Sequence, residues 1–459
     1  MMQKAVLLIL MLGVGLKPVH SQCLKRSGTL GIYPAPISGG EAMRAGLEGT
    51  AGVKVAKILK GSAAEAMGLE VGDFILEVNG EAVANPAGIV AQLGQLSAGD
   101  PVALTGVRSG EPLQKQGVMQ ARELPQPAGA KAHYGAVPFE GGCLRSFLEV
   151  PAGPGPFPVI YYLQGYPCQT VAHANPIGPM RRLINQWLAA GYAVYRVEKP
   201  GVGESAGPPD CHSINFETEL DAFRAGYDAL LKETLILNNQ VFLYGHSLGG
   251  VVAPFLARQF KPAGVMVYGF VLKPWKDYMF DVMWDQRVRT GADPAAAMEE
   301  LLQGRKLLNA YFDENKAPSD FLKTEAERAL FGKLLAYDGQ SQCFGRHYSF
   351  WQDIDNRNLP AIWQEVTCPV LSMYGEYDLA AIDERGARQL ANLINQQHPG
   401  QGTFQLIEQT NHALLQMPDF DAQLDYAASA DRGLYYRDNF NTGFAQQLVD
   451  WMAAVLDRT

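Results

Sequence analysis

The chain has 459 residues, 47% of them hydrophobic and 19% charged, with a net charge of −9, which is material for two or three domains of about 100–200 residues each. An acidic balance excludes a general nucleic-acid binder, which needs a basic face. There is no CxxC, no paired Cys/His cluster, no H-E-x-x-H and no G-x-x-x-x-G-K-[ST], so zinc and nucleotide chemistry have no support and neither metal nor cofactor is expected.

The first residues read MMQKAVLLILMLGVGLKPVHSQ. Lys4 precedes an apolar run from Ala5 to Leu16, and Val19-His20-Ser21 places compact residues where a signal peptidase reads. Twelve apolar residues make a helix of about 18 Å, too short for a membrane core of about 30 Å. Residues 1–21 are therefore expected to be a signal peptide and the chain to be exported, periplasmic or extracellular, with no transmembrane span in the mature chain. Lipid attachment at Cys23 is the minor alternative, because Gln22 is a poor residue before a lipidated cysteine. The six cysteines, Cys23, Cys143, Cys168, Cys211, Cys343 and Cys368, are free to form disulfides in an oxidising compartment, and their spacing does not say which pair.

Residues 28–122 form one block rich in Gly, Ala and Val. Val53, Val55 and Ile58-Leu59 read as a strand, GSAAEAMG as a short helix stopped at Gly68, VGDFILEVNGEAV as a hairpin turning at Asn79-Gly80, and NPAGIVAQLGQL as an amphipathic helix with Ile89, Leu93 and Leu96 on one face. The run KGSAAEAMGLEVGDFILEVNG resembles a PDZ domain of bacterial periplasmic-protease type, a small α+β fold. The resemblance implies a loop that holds a peptide C-terminal carboxylate on backbone amides, while the peptide adds a strand to a sheet edge. Leu30, Gly31 and Ile32 are the matching positions and a protein C-terminus the implied partner. Tyr33 to Gly52 is longer than the family's pattern. A PDZ fold serving only as a spacer or docking surface is the bland alternative.

Residues 123–137, with two prolines and no apolar period, read as a linker. From 138 to 459 strands and helices alternate: FPVIYYLQG, AVYRVEKPG, QVFLYG, GVMVYGFV, CPVLSMYGEYD and TFQLIEQTNH are strands, separated by helical stretches and followed by FAQQLVDWMAAVLDR. This pattern implies a doubly wound, mainly parallel sheet. The interval of about 273–365 is too long for one connection and reads as an inserted helical lid.

Gly245-His246-Ser247-Leu248-Gly249 fits G-x-S-x-G between a strand and a helix, the context in which the serine is held on a strained turn as a nucleophile. Ser247 needs a base oriented by an acid. His412, just past one strand, and Asp378, just past another, stand in the required order, with Asp383 as the fallback acid. His246 points elsewhere on the turn, His133 lies in the linker, and His173, His212 and His347 lie in loops or the lid. The oxyanion needs two backbone donors, expected from Leu248 and, in LQGYPC, from Tyr166. Residues 138–459 thus resemble an α/β-hydrolase of the exported esterase and serine-aminopeptidase-like branches. In KPGVGESAGPP, Lys199-Pro200 stands where many members have Asp-x-Arg. In such a fold the loops of Cys168 and Cys211 meet above the sheet, which implies a Cys168–Cys211 bridge; Cys143, Cys343 and Cys368 are expected buried or free. Trp275, Tyr278 and Phe280 read as packing before acyl-pocket lining, and Arg181-Arg182 as a solvated helix face. The expected function is an exported serine hydrolase cleaving small carboxylic esters through Ser247, Asp378 and His412. A peptidase guided by the PDZ module and a non-catalytic PDZ adaptor are the alternatives.

Overall fold

A computed structural model describes residues 23–458 apart from 174, 206, 208, 430 and 431; the signal-peptide reading of 1–21 lies outside the described residues. The N-terminal unit contains β1 (Gly28–Thr29), β2 (Ile32–Ala35), β3 (Val53–Ile58), β4 (Phe74–Val78), β5 (Glu81–Ala82), β6 (Pro101–Arg108), β7 (Glu111–Val118) and β8 (Gln120–Ala121). The main antiparallel sheet runs β2-β3-β4-β6-β7, with β5 on β4 and β1 paired to β8. Helix Pro86–Gly94 starts where Asn85 caps it and proline follows, and buries Ile89 against Leu30, Val53 and Val78. The extra length from Tyr33 to Gly52 holds a further helix, Gly39–Arg44, because Ser38 and Glu41 close a capping box.

The C-terminal unit continues with β9 (Ala130–Phe139), β10 (Gly142–Pro151), β11 (Phe157–Leu163), β12 (Ala193–Val197), β13 (Ile236–His246), β14 (Gly264–Tyr268), the short hairpin β15 (Gln342–Cys343) and β16 (Arg346–His347), then β17 (Val370–Gly375) and β18 (Gly402–Ile407). Eight of these form one sheet in the order β18-β17-β14-β13-β11-β12-β10-β9. The six strands from β12 to β18 are parallel, and β10 runs antiparallel to both β12 and β9. The expected linker over 123–137 is therefore cut short. Ala130–Phe139 pairs along its whole length with β10, because a partner edge satisfies its backbone whatever its weak apolar period; His133 lies in this strand.

Period-two alternation sorts the central strands between two cores. Val241, Leu243, Val265 and Val267 face the helices Phe216–Leu230, Gly249–Phe260 and Arg385–Gln397, while Phe242, Tyr244, Met266 and Tyr268 face Pro179–Ala189 and Thr442–Leu456. Between β14 and β17 lies the expected insertion, mostly helical: Trp275–Asp281, Pro294–Phe312, Glu325–Leu335, Tyr348–Asp355 and Leu359–Gln364.

Two disulfides are present, Cys168–Cys211 and Cys23–Cys143. The second corrects the expectation that Cys143 is unpaired. It also occupies the sulfur that a lipid at Cys23 would need. Cys343 and Cys368 are free and buried. Arg181-Arg182 is no solvated face: Arg181 grips the buried carboxylate of Glu149 at 2.6 Å, and Arg182 donates to the carbonyls of Tyr436 and Arg437.

Candidate active site

Every predicted site residue of the C-terminal unit lies past the C-terminal end of a parallel strand, where a doubly wound sheet opens its crevice. The chain leaves β11 to one side for β12 and returns on the other as β13, so the loops after these two neighbours diverge at the switch point. Leu163 pairs with Gly245, which sets Gly165-Tyr166 beside His246-Ser247. A Cβ on Gly165 would stand 3.1 Å from that of Ser247.

Ser247 has φ of 56°, the left-handed region that a non-glycine residue enters at a cost of about 1–3 kcal/mol. The turn survives because its neighbours have no Cβ. One on Gly245 would lie 2.5 Å from the carbonyl oxygen of Gly249, and one on Gly249 would lie 1.9 Å from that of Leu163. The Ser247 amide donates to the Tyr268 carbonyl at 2.9 Å, and the helix Gly249–Phe260 begins directly after Leu248.

Asp378 is fully buried. Its Oδ1 accepts from the amides of Ala380 and Ala381 at 2.9 and 2.8 Å, and its Oδ2 accepts from Nδ1 of His412 at 2.8 Å. A carboxylate only accepts, so Nδ1 carries the proton and Nε2 of the neutral ring is the basic nitrogen. Burial is the strongest influence on His412 and opposes its charge. The charge and hydrogen bond of Asp378 together exceed it and hold the imidazole above its ordinary pKa of 6.5. Asp383, the fallback acid, binds Arg385 instead.

Three further features complete the pair: two were not assigned from the sequence, and the third, His246, corrects the expectation that it points elsewhere on the turn. Gly269, at φ of 61°, follows β14, and a Cβ there would meet Asp378 Oδ2 at 2.6 Å and His412 Nδ1 at 2.7 Å. Asn411 accepts from the amides of Ala413 and Leu415, while its own carbonyl receives the Tyr268 hydroxyl at 2.7 Å; together these shape the loop that presents His412. His246 stacks on the His412 ring at 4.9 Å and meets its carbonyl through Nε2 at 2.8 Å; burial pushes its pKa down to about 4. Gly269 and Asn411 carry no motif, and the G-x-S-x-G pattern leaves the identity of residue 246 open; only the sheet brings the three together.

Ser247 and His412 line two cavities. One, of about 270 Å³, lies against the insertion and is walled by Tyr166, Leu248, Trp275, Tyr278, Phe344 and Trp351. Trp275 and Tyr278, expected to pack, therefore also line the site, and Phe280 does not. The other, of about 240 Å³, is more polar, with Gln164, Gln169, Thr170, His173 and His246 on its walls. Cys168–Cys211 ties the loop after β11 to the segment after β12. In the N-terminal unit, Leu30, Gly31 and Ile32 line a separate groove with Ile89, Val90, Leu93 and Arg122. Gly31 has φ of 81°, and a Cβ there would collide with that of Ser62 at 2.2 Å.

The family model described as "Alpha/beta hydrolase family" matches residues 181–421 and a PDZ-domain model matches residues 25–107. The chain belongs to the alpha/beta hydrolase family and carries an N-terminal PDZ domain. It is similar to a probable periplasmic serine protease do/HhoA-like from Haemophilus influenzae, at 32% identity over 101 residues, and spans 22% of that relative's length and 22% of its own. Among solved structures it is similar to a highly thermostable carboxyl esterase from Bacillus coagulans at 11% identity, covering 71% of this chain and 98% of that one with a TM-score of 0.44. A proline iminopeptidase from Mycobacterium smegmatis matches at 14% identity, 70% and 98% coverage and a TM-score of 0.42.

Proposed function

We propose that this hydrolase is an exported serine esterase acting through an acyl-enzyme. The observation that carries the reading is a serine in left-handed backbone at a strand-to-helix turn, sharing both of its cavities with a histidine whose other nitrogen is bonded to a buried aspartate. Ser247 attacks the ester carbonyl as His412 Nε2 takes its proton. Asp378 holds the ring and offsets the charge that forms on it. The amides of Leu248 and Tyr166 receive the oxyanion. His412 then returns the proton to the departing alcohol, and water repeats the sequence on the acyl-enzyme.

The aromatic walls and modest volume of the cavity beneath the insertion favour a small ester with an apolar acyl group. Export is supported by two disulfides, which persist in oxidising compartments. Among the described residues no helix is long and apolar enough to cross a membrane. The groove at Leu30, Gly31 and Ile32 has the form that takes a protein C-terminus, and it favours a second reading in which the bond cleaved is a peptide.

The test is hydrolysis of short-chain p-nitrophenyl esters beside aminoacyl and dipeptidyl p-nitroanilides by the full chain and by Ser247→Ala. Ester turnover that falls about 10⁴–10⁶-fold in the variant is expected. Anilide turnover with no ester turnover would replace the esterase by the peptidase. Retention of most activity by Ser247→Ala would remove the serine mechanism altogether.

A further inference from the structure

The loop after β11 is held from beneath by charge. The Gly165 carbonyl accepts from Nζ of Lys199 at 2.6 Å. The Tyr166 carbonyl accepts from the same ammonium at 3.3 Å and from Nη1 of Arg346 at 2.9 Å. Lys199 and Arg346 are each 1% exposed and share one buried carboxylate: Glu219 meets Lys199 at 3.0 Å through Oε1 and Arg346 at 2.6 Å through Oε2. The three come from distant elements. Lys199 follows β12, Glu219 belongs to the helix Phe216–Leu230, and Arg346 is in β16 of the insertion, its guanidinium 3.7 Å from the Phe350 ring centre.

Burying two cations with one anion costs several kcal/mol per ion before compensation. The uncompensated positive charge is directed at two successive carbonyl oxygens of a single loop. In a trans peptide the C=O and the following N–H point in opposite directions. A cation fixed on the Gly165 oxygen therefore turns the Tyr166 N–H away from the buried cluster. It also polarises that peptide and makes its N–H a stronger donor. The next peptide has no N–H to offer, because residue 167 is proline.

We propose that Lys199, fixed by Glu219 and joined by Arg346, is a positioning residue that aims and polarises the Tyr166 amide at the oxyanion, with Arg346 linking the inserted lid to the same loop. This rests on the reading of Ser247 as nucleophile. Its test compares Lys199→Met, Glu219→Gln and Arg346→Met with the native chain and Ser247→Ala, measuring p-nitrophenyl butyrate kinetics, phenylboronic acid affinity and the rate of Ser247 labelling by a fluorophosphonate. For Lys199→Met, kcat and labelling rate fall about 30- to 100-fold, just under the loss of an outright donor. KM stays within about threefold, and boronate affinity weakens by a factor like that in kcat, as expected when only transition-state contacts are lost. Glu219→Gln and Arg346→Met move the same quantities about tenfold, and Arg346→Lys keeps most of the activity. A folded Lys199→Met with kcat and labelling within about threefold of native overturns the proposal. If Lys199→Met does not fold, Lys199→Ala with added ethylammonium decides: recovery of kcat supports the role, and no recovery in folded protein overturns it. Activity in Ser247→Ala would instead defeat the nucleophile reading, whereas an inactive Ser247→Ala beside an active Lys199→Met defeats only the positioning.

Discussion

At the scale of single residues, the arrangement around His412 depends on atoms that are absent as much as on those present. Gly269→Ala would drive a methyl to within 2.6 Å of Asp378 and 2.7 Å of His412 in a backbone conformation alanine resists. We expect kcat to fall by about 10²-fold, the cost of a misplacement near 1 Å, with a loss of about 1–3 kcal/mol in urea denaturation. The His412–Asp378 bond fixes a direction in pH. As the proposed base His412 works deprotonated, and its pKa is raised, so the acid limb of kcat/KM should lie above 6.5 and move down in Asp378→Asn. For stability the signs are opposite at the two stacked rings. The raised pKa of His412 contributes stability that is complete below 6.5 and disappears as pH rises through the folded value. His246, pushed down to about 4, contributes stability that is complete above 6.5 and is lost as pH falls through 4. Melting temperatures between pH 4 and 6.5 should therefore rise more steeply in the native chain than in His246→Asn.

At the scale of elements, the strand ends and their loops were legible and the braces across them were not. Strand β13 and the helix after it announce themselves in QVFLYGHSLGGVVAPFLARQF, because period and glycine placement are local properties. Nothing local says that Lys199 and Arg346 meet under Gly165-Tyr166, or that Trp275 and Tyr278 of the insertion face Ser247; those contacts join residues far apart in the chain. Cys168–Cys211 braces the same loop across a separation of 43 residues. Its replacement by two serines should cost about 2–4 kcal/mol in calorimetric or denaturant unfolding. Part of the loss should appear as a lower kcat, since the loop it frees carries Tyr166.

At the scale of the whole molecule, the start of the PDZ domain is anchored to the turn after β12. The Lys25 amide donates to the Glu204 carbonyl, and the Glu204 carboxylate takes the Ser27 amide and Arg26 at 3.0 Å each while pairing with the buried Arg145. Cys23–Cys143 fastens the same segment covalently. Glu204→Gln should strand Arg145 and lower stability by about 3 kcal/mol; native melting behaviour in that variant would show the anchor to be dispensable. The amino-acid sequence by itself determined the PDZ domain and the doubly wound hydrolase sheet, and it is the source of the proposal that Ser247, Asp378 and His412 act together beneath an inserted segment. Each of these follows from periodicity, turn chemistry or chain order, which act over a few residues or one element. Only the tertiary structure decided that Ala130–Phe139 is an edge strand, that Cys23 pairs with Cys143, that Gly269 leaves room for the Asp378–His412 pair and that Lys199, Glu219 and Arg346 converge beneath Tyr166. Those depend on which surfaces the sheet brings face to face, and burial, charge compensation and close packing act on that juxtaposition rather than on sequence neighbours.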